Sequence, residues 1–377
     1  MKAEIVKGFQ DFSGEEAAKR AELTKILVEM FDKYGFGPAE TPVIEYEEFV
    51  RGNNPDDEAV SNVFKLQDRG KRKLALRYEL TFPLKRIAKG KKLPYKRYQI
   101  GPVFRDEPVS ANRFRQFTQC DIDVIGSSVK DEAEILALFS EILEKLGIKP
   151  IVLINNRKLL NEILEDKRIK KNKEKVLREL DKLNKLSEKQ VKTNLKKLGA
   201  GKIIGILKQN PEFFRKYKSF SEIEELIDYC EFYGVKVKVA PLLARGLSYY
   251  NGSIFEIWAG SAKGSIAGGG SYLCEKTQAT GISFGLERLS SLAKIELDKE
   301  KYLIVSLNQD KEAIELSKKI RDKDKIVSIY YGKPSKALEY ANSYGFSKVV
   351  FVGSKEVKAK KFKIKDMETG RESFLKI

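Results

Sequence analysis

No histidine occurs anywhere in this 377-residue chain. Without imidazole there is no histidine general base, proton shuttle or metal ligand. Hydrolases built on a Ser–His or Cys–His pair, and zinc sites built on histidine, are therefore excluded. Cysteine is nearly as scarce. Cys120, Cys230 and Cys274 stand far apart without a CxxC pair, which suggests neither a thiolate metal centre nor a disulfide framework and fits a reducing cytoplasm. Long apolar runs are missing too. The amino terminus MKAEIVKGFQDFSGEEAAKR has no extended apolar core, and no stretch approaches the roughly 20 apolar residues of a membrane helix, so a soluble protein without a membrane partner is expected.

Basic residues are abundant. Lys and Arg number 72 against 54 Asp and Glu, a formal charge of +18, and the isoelectric point is near 9.4. Such a surface attracts polyanions, nucleic acid foremost, although a Lys- and Glu-rich surface is also a mark of heat adaptation. The length allows two or three domains, and an apolar fraction of 42% can fill their cores.

The most informative stretch runs from Tyr98 to Gly126, YQIGPVFRDEPVSANRFRQFTQCDIDVIG. A β-branched and aromatic run, a polar loop and a second alternating run predict two antiparallel strands joined by a long loop. Arg105, Arg113 and Arg115 flank the loop, and Asp121 and Asp123, two apart, project from one face of the second strand. Guanidinium forks match phosphate oxygens, so this is a phosphate site facing a cation site. An ordinary hairpin with a solvated charged face is the alternative reading of any single residue here. As a whole the string resembles motif 2 of the class II aminoacyl-tRNA synthetases in its histidyl-tRNA synthetase form, where FRxE, a short loop, RFRQF and QCDIDVIG follow in this order.

Other blocks extend the resemblance. A helix over Gly14–Phe36, the break YGFGP and a strand over Glu40–Glu45 resemble motif 1, which implies a homodimer. Val63–Leu66 and Lys73–Tyr78 form a predicted hairpin leading to LRYELT, where the family carries a carboxylate and a hydroxyl for the substrate ammonium. RGLSYY over Arg245–Tyr250 resembles the family's RGLDYY, with Ser248 in place of the usual Asp. GGGSYL over Gly268–Leu273 stands where GGGRYD is usual, so Ser271 and Leu273 replace an Arg and an Asp; the run reads either as a flexible turn or as backbone passing close to a ligand. Losing both members of an ion pair leaves no charge uncompensated. GISFGLERL over Gly281–Leu289 matches motif 3, a strand running into a helix that presents Arg288.

The resemblance implies an α+β catalytic domain on a mostly antiparallel sheet, built from two separate segments, 1–150 and 240–297. A basic helical insertion over 151–239 and a C-terminal α/β anticodon-binding domain over 300–377 complete it. The lysine-rich KRIKKNKEKVLRELDKLNKL of the insertion is otherwise a solvated helical face. Alternating strands and helices after Lys301 independently argue a small, largely parallel α/β unit.

The implied activity is activation of L-histidine by ATP with Mg²⁺ as substrate complex, without a prosthetic group, followed by transfer to tRNA(His). By the resemblance, Arg105 and Arg245 hold the α-phosphate and substrate carboxylate, and Arg288 the γ-phosphate. Arg113 assists the outer phosphates, while Glu107 and Phe117 take the adenine. Glu79, Thr81 and Gln119 take the ammonium, Asp123 and Tyr250 the two imidazole nitrogens, and Tyr249 the ring environment. No histidine or cysteine ligates a metal, and the residues of a Mg²⁺ site are not indicated. Two alternatives are carried: a histidine-sensing regulatory subunit of ATP phosphoribosyltransferase, and a tRNA-binding paralogue without charging activity.

Overall fold

The structure, a computed structural model, describes residues 3–52, 58–110, 113–169, 171–184, 186–245, 249–260, 264–297 and 300–375. The chain forms two compact units, Met1–Ile295 and Glu296–Ile377. In the first, α1 (Gly14–Lys33) buries Leu23, Leu27, Met30 and Phe31, one stripe at helical spacing. The chain then makes β1 (Gly37–Pro38), β2 (Ile44–Tyr46), α2 (Glu47–Arg51), α3 (Glu58–Ser61), β3 (Lys65–Gln67), β4 (Lys73–Leu76) and α4 (Leu84–Ile87). The predicted hairpin is present as β3 and β4, with β2 pairing β4 in a three-stranded sheet.

The strand expected over Glu40–Glu45 begins only at Ile44. Pro42 has no N–H to give a ladder, and the carbonyls of Thr41 and Val43 accept instead from Arg77, its Nη1 at 2.7 Å and its backbone N at 3.0 Å.

The main sheet has eight strands in the order β1-β5-β6-β11-β10-β9-β7-β8. They are β5 (Tyr95–Phe104), β6 (Gln116–Ile125), β7 (Pro150–Asn156), β8 (Val237–Val239), β9 (Tyr250–Ala259), β10 (Ser265–Cys274) and β11 (Thr277–Gly285), with β1 at one edge. The edge pairs β1–β5 and β7–β8 are parallel, and the pairs between them are antiparallel. After β6, α5 (Val129–Lys145) starts at a capping box in which Ser128 and Asp131 satisfy each other's termini. It packs on β7 and β11 and against α1. Its ten buried positions put the core on this face of the sheet.

Between β7 and β8 run α6 (Arg157–Asp166), α7 (Lys173–Asp181), α8 (Glu188–Lys197), α9 (Ile203–Leu207) and α10 (Phe220–Phe232). Their lysines face water, while Leu160, Val176, Leu180, Leu195 and Ile204 join the same apolar core as the sheet. The last element of this unit, α11 (Leu286–Leu292), leaves β11 directly.

The second unit reads β12 (Lys301–Ser306), α12 (Asp310–Arg321), β13 (Ile326–Tyr331), α13 (Pro334–Ser343), β14 (Lys348–Val352), α14 (Ser354–Ala359), β15 (Lys363–Asp366) and β16 (Glu372–Phe374). Its sheet order is β13-β12-β14-β15-β16, parallel across the first three strands and antiparallel after them. The α+β class with a large antiparallel sheet and a terminal α/β unit is therefore the fold expected from the sequence.

Candidate active site

Strands β5 and β6 are paired from Tyr95↔Ile125 to Phe104↔Gln116, and Arg105 leaves the end of the first while Phe117 and Gln119 sit on the second. Arg105 donates from Nε to the Tyr78 carbonyl at 3.0 Å, and its guanidinium carbon lies 5.1 Å from the Phe117 ring centre. Glu107 and Arg113 pair across the loop at 3.2 Å. One cavity of about 1210 Å³ takes in Arg105, Glu107, Arg113, Phe117, Gln119, Arg245 and Arg288. Seven residues singled out from the sequence thus share one wall system, although Arg105, Arg245 and Arg288 are far apart in the chain.

Arg245 has a built seat. Its Nη1 lies 3.0 Å from Glu256 Oε1, and the other Glu256 oxygen accepts from Trp258 Nε1 at 3.2 Å. Gly268 is the cross-strand partner of Glu256. A Cβ built on Gly268 would stand 1.8 Å from Arg245 Nη1 and 2.4 Å from its Cζ, so the missing side chain is the space in which the guanidinium lies. The glycine run is a strand rather than a flexible turn; the sequence assigns Glu256 no role and does not foresee Gly268 as the space for Arg245. Arg288 donates from Nη1 to the Ser265 carbonyl at the cavity's edge.

Glu79, Thr81, Asp123, Tyr249 and Tyr250 lie off this cavity wall. Glu79 is buried, and burial, with Asp121 adding to it, pushes its carboxyl up to about 7 despite Arg105 nearby. Asp121 is raised to about 6, chiefly by burial, and accepts two bonds from Gln119 Nε2 at 2.9 and 3.0 Å. Asp123 meets Arg97 Nη2 at 2.7 Å and accepts from Tyr272 Oη at 2.5 Å. Tyr249 stacks obliquely on Tyr250, ring centres 4.8 Å apart, and edge-on to Tyr272 at 5.6 Å. Arg97 and Tyr272 are thus members that sequence reasoning missed. Tyr272 had a signal, since it stands at the usual tyrosine of the glycine-run motif. Arg97, fully buried inside β5, had none.

Ser248 lies outside the described residues, as do Gly246 and Leu247. Ser271 and Leu273 stand in different surroundings. Leu273 is half exposed, whereas buried Ser271 donates to Glu132 Oε1 on α5. Glu132 is pushed by burial to about 7, against the hydrogen bond from Ser271. Its folded pKa exceeds the ordinary 4.5, so the folded state holds the proton more tightly and stability falls as pH rises from about 4.5 through 7. Glu132→Gln should remove this dependence. Denaturant midpoints should coincide near pH 4.5, while at pH 8 the variant should be the more stable by roughly 3 kcal/mol. Equal midpoints at pH 8 would contradict the assignment.

A profile of the family described as Histidyl-tRNA synthetase matches residues 8–289. The chain belongs to the histidyl-tRNA synthetase family. Histidine–tRNA ligase 2 of Shouchella clausii is 34% identical over 97% of this chain and 96% of that protein. The ligase of Wolinella succinogenes is 32% identical over 96% and 93%. Among solved structures, the histidyl-tRNA synthetase of Nostoc sp. PCC 7120 superposes with a TM-score of 0.85 at 26% identity, covering 100% of this chain and 97% of that one. An ATP phosphoribosyltransferase regulatory subunit/histidyl-tRNA synthetase from Bacillus halodurans C shares the fold at a TM-score of 0.80 and 22% identity, over 93% and 98%. In this member of the histidyl-tRNA synthetase family, Arg105 directly after β5, Arg245 against Gly268 of β10 and Arg288 on α11 after β11 all border one cavity. Among the described residues, no three acidic or cysteine side chains converge as a metal site, and no helix is long and apolar enough to cross a membrane.

Proposed function

We propose that the protein activates L-histidine with ATP and transfers the histidyl group to the 3′ end of tRNA(His). The observation that carries this reading is the meeting of Arg105, Arg245 and Arg288 with Phe117 and Glu107 on one cavity wall. When a carboxylate oxygen attacks the α-phosphate and pyrophosphate leaves, charge spreads over the non-bridging oxygens, so catalysis is alignment and electrostatic stabilisation. Arg105 and Arg245 hold the α-phosphate and the substrate carboxylate, Arg288 the γ-phosphate, and Arg113 the outer phosphates. Phe117 stacks the adenine and Glu107 hydrogen-bonds it. Mg²⁺ enters with the triphosphate.

The ammonium end is supported by electrostatics. Glu79, Asp121 and Asp123 are three buried carboxyls whose pKa values burial raises, so a cation bound beside Glu79, Thr81 and Gln119 favours the charged form of Glu79. Asp123 and Tyr250 address the imidazole nitrogens with Tyr249 against the ring. A competitor side chain would leave those buried groups unpaired. The basic surface meets tRNA(His) through salt-sensitive phosphate contacts, with the second unit at the anticodon. Exposed Ile44 and Tyr46 of β2 support a homodimer through the motif 1 region, and the lack of paired cysteines supports a cytoplasmic site of action.

The test is attachment of labelled histidine to tRNA transcripts: acid-precipitable counts that need ATP and tRNA(His) are expected. Histidine binding without attachment would instead support the regulatory-subunit reading, for which the shared fold with the Bacillus halodurans protein is the motive. Binding of tRNA without adenylate formation would support a non-charging paralogue.

A further inference from the structure

The ladder between β11 and β6 ends at Gly285↔Gln119. One residue beyond, the Thr118 N–H has no strand carbonyl to meet, and the side chain of Glu287, on the first turn of α11, takes its place. Both carboxylate oxygens accept from Thr118 N, at 2.9 and 3.1 Å. Arg20, from the middle of α1, completes the joint. Its Nη1 lies 3.0 Å from Glu287 Oε1, its Nη2 donates to Thr118 Oγ1 at 2.9 Å, and its guanidinium stacks 3.9 Å from the centre of the Phe12 ring. The pair is largely shielded, with side chains 14% and 17% exposed, so water competes weakly for it.

This joint pins three elements at one point. Thr118 stands between Phe117 and Gln119, Glu287 immediately precedes Arg288, and Arg20, Phe12 and Glu287 all border the main cavity. We propose that Arg20 is a positioning residue for the nucleotide. By holding Glu287 on the Thr118 amide it fixes the first turn of α11, and with it Arg288, relative to the strand that carries Phe117. The inference rests on the reading of Phe117 and Arg288 as ATP contacts.

The experiment is equilibrium dialysis of labelled ATP with Mg²⁺ against the full chain, without histidine or tRNA, beside thermal midpoints and histidine affinity for each variant. Arg20→Ala should weaken ATP binding about tenfold or more, the loss expected for a shielded charge-assisted contact, while histidine affinity changes less than about twofold. Arg20→Lys keeps the charge beside Glu287 but cannot present the planar fork to Thr118 at the same time, so it should fall between wild type and Arg20→Ala. It also carries the test if Arg20→Ala does not fold. Unchanged ATP affinity in the folded variants, equal loss for ATP and histidine, or wild-type protein that binds no ATP would each overturn the inference. Wild-type protein that binds ATP in an Arg20-dependent way yet forms no adenylate would defeat the ligase reading alone.

Discussion

Gly268→Ala should abolish most of the activity while leaving the fold in place. The added methyl would stand 1.8 Å from Arg245 Nη1 and 2.7 Å from its Nη2, so the guanidinium must leave its seat. The atoms displaced belong to the end of a flexible side chain, and Gly268 is an ordinary strand residue paired with Glu256 and Ser283. The cost therefore falls on Arg245 rather than on the sheet. Removing one donor aimed at transition-state charge costs about 10²–10³ in rate, and histidine-dependent pyrophosphate exchange should fall by that order with the thermal midpoint nearly unchanged. The decisive comparison is a double-mutant cycle. In an Arg245→Ala background, Gly268→Ala should cost little more. Additive losses would mean that Gly268 matters for another reason.

Arg97→Met carries the largest expected effect on stability. Arg97 is fully buried, with Nη2 at 2.7 Å from Asp123 and at 3.0 Å from the Leu80 carbonyl. Around the carboxyl, Gly281 leaves the necessary space: a Cβ there would lie 2.1 Å from Asp123 Oδ1. Removing the cation leaves a buried carboxylate beside the Tyr272 hydroxyl with its charge uncompensated, and breaking such a pair from one side costs about 3–5 kcal/mol. Urea denaturation should register that loss. Adding Asp123→Asn to Arg97→Met should recover part of it, because the uncompensated charge is then gone. A double variant no more stable than Arg97→Met alone would show that packing, rather than charge, sets the cost.

Much of this was legible in the sequence where the signal is local. The hairpin of β5 and β6 announces itself through alternation around a polar loop, and the tail through its alternating strands and helices. The arginines at 105, 245 and 288 stand inside compact motifs, and the cavity brings them together. Pairings across long separations were not legible. Ser271 finds Glu132 139 residues away, and Glu287 finds the Thr118 amide 169 away; no periodicity encodes such partners. The glycine run shows the same limit from another side. Glycines commonly mark turns, but Gly268 and Gly269 lie mid-strand because Arg245 fills one face and Phe255 with the Gly281 carbonyl crowds the next position. Only the neighbouring strands reveal that requirement. Likewise Pro42 shortened β2 by a rule that the sequence contains, yet the alternative use of the freed carbonyls by Arg77 appears only in three dimensions.

Histidine activation is tested most directly by exchange of labelled pyrophosphate into ATP without tRNA, in wild-type protein and in Arg245→Ala. The predicted result is exchange that requires histidine, is not supported by other amino acids, and is lost in the variant. Well-folded wild-type protein that binds ATP and histidine but gives no exchange would contradict it.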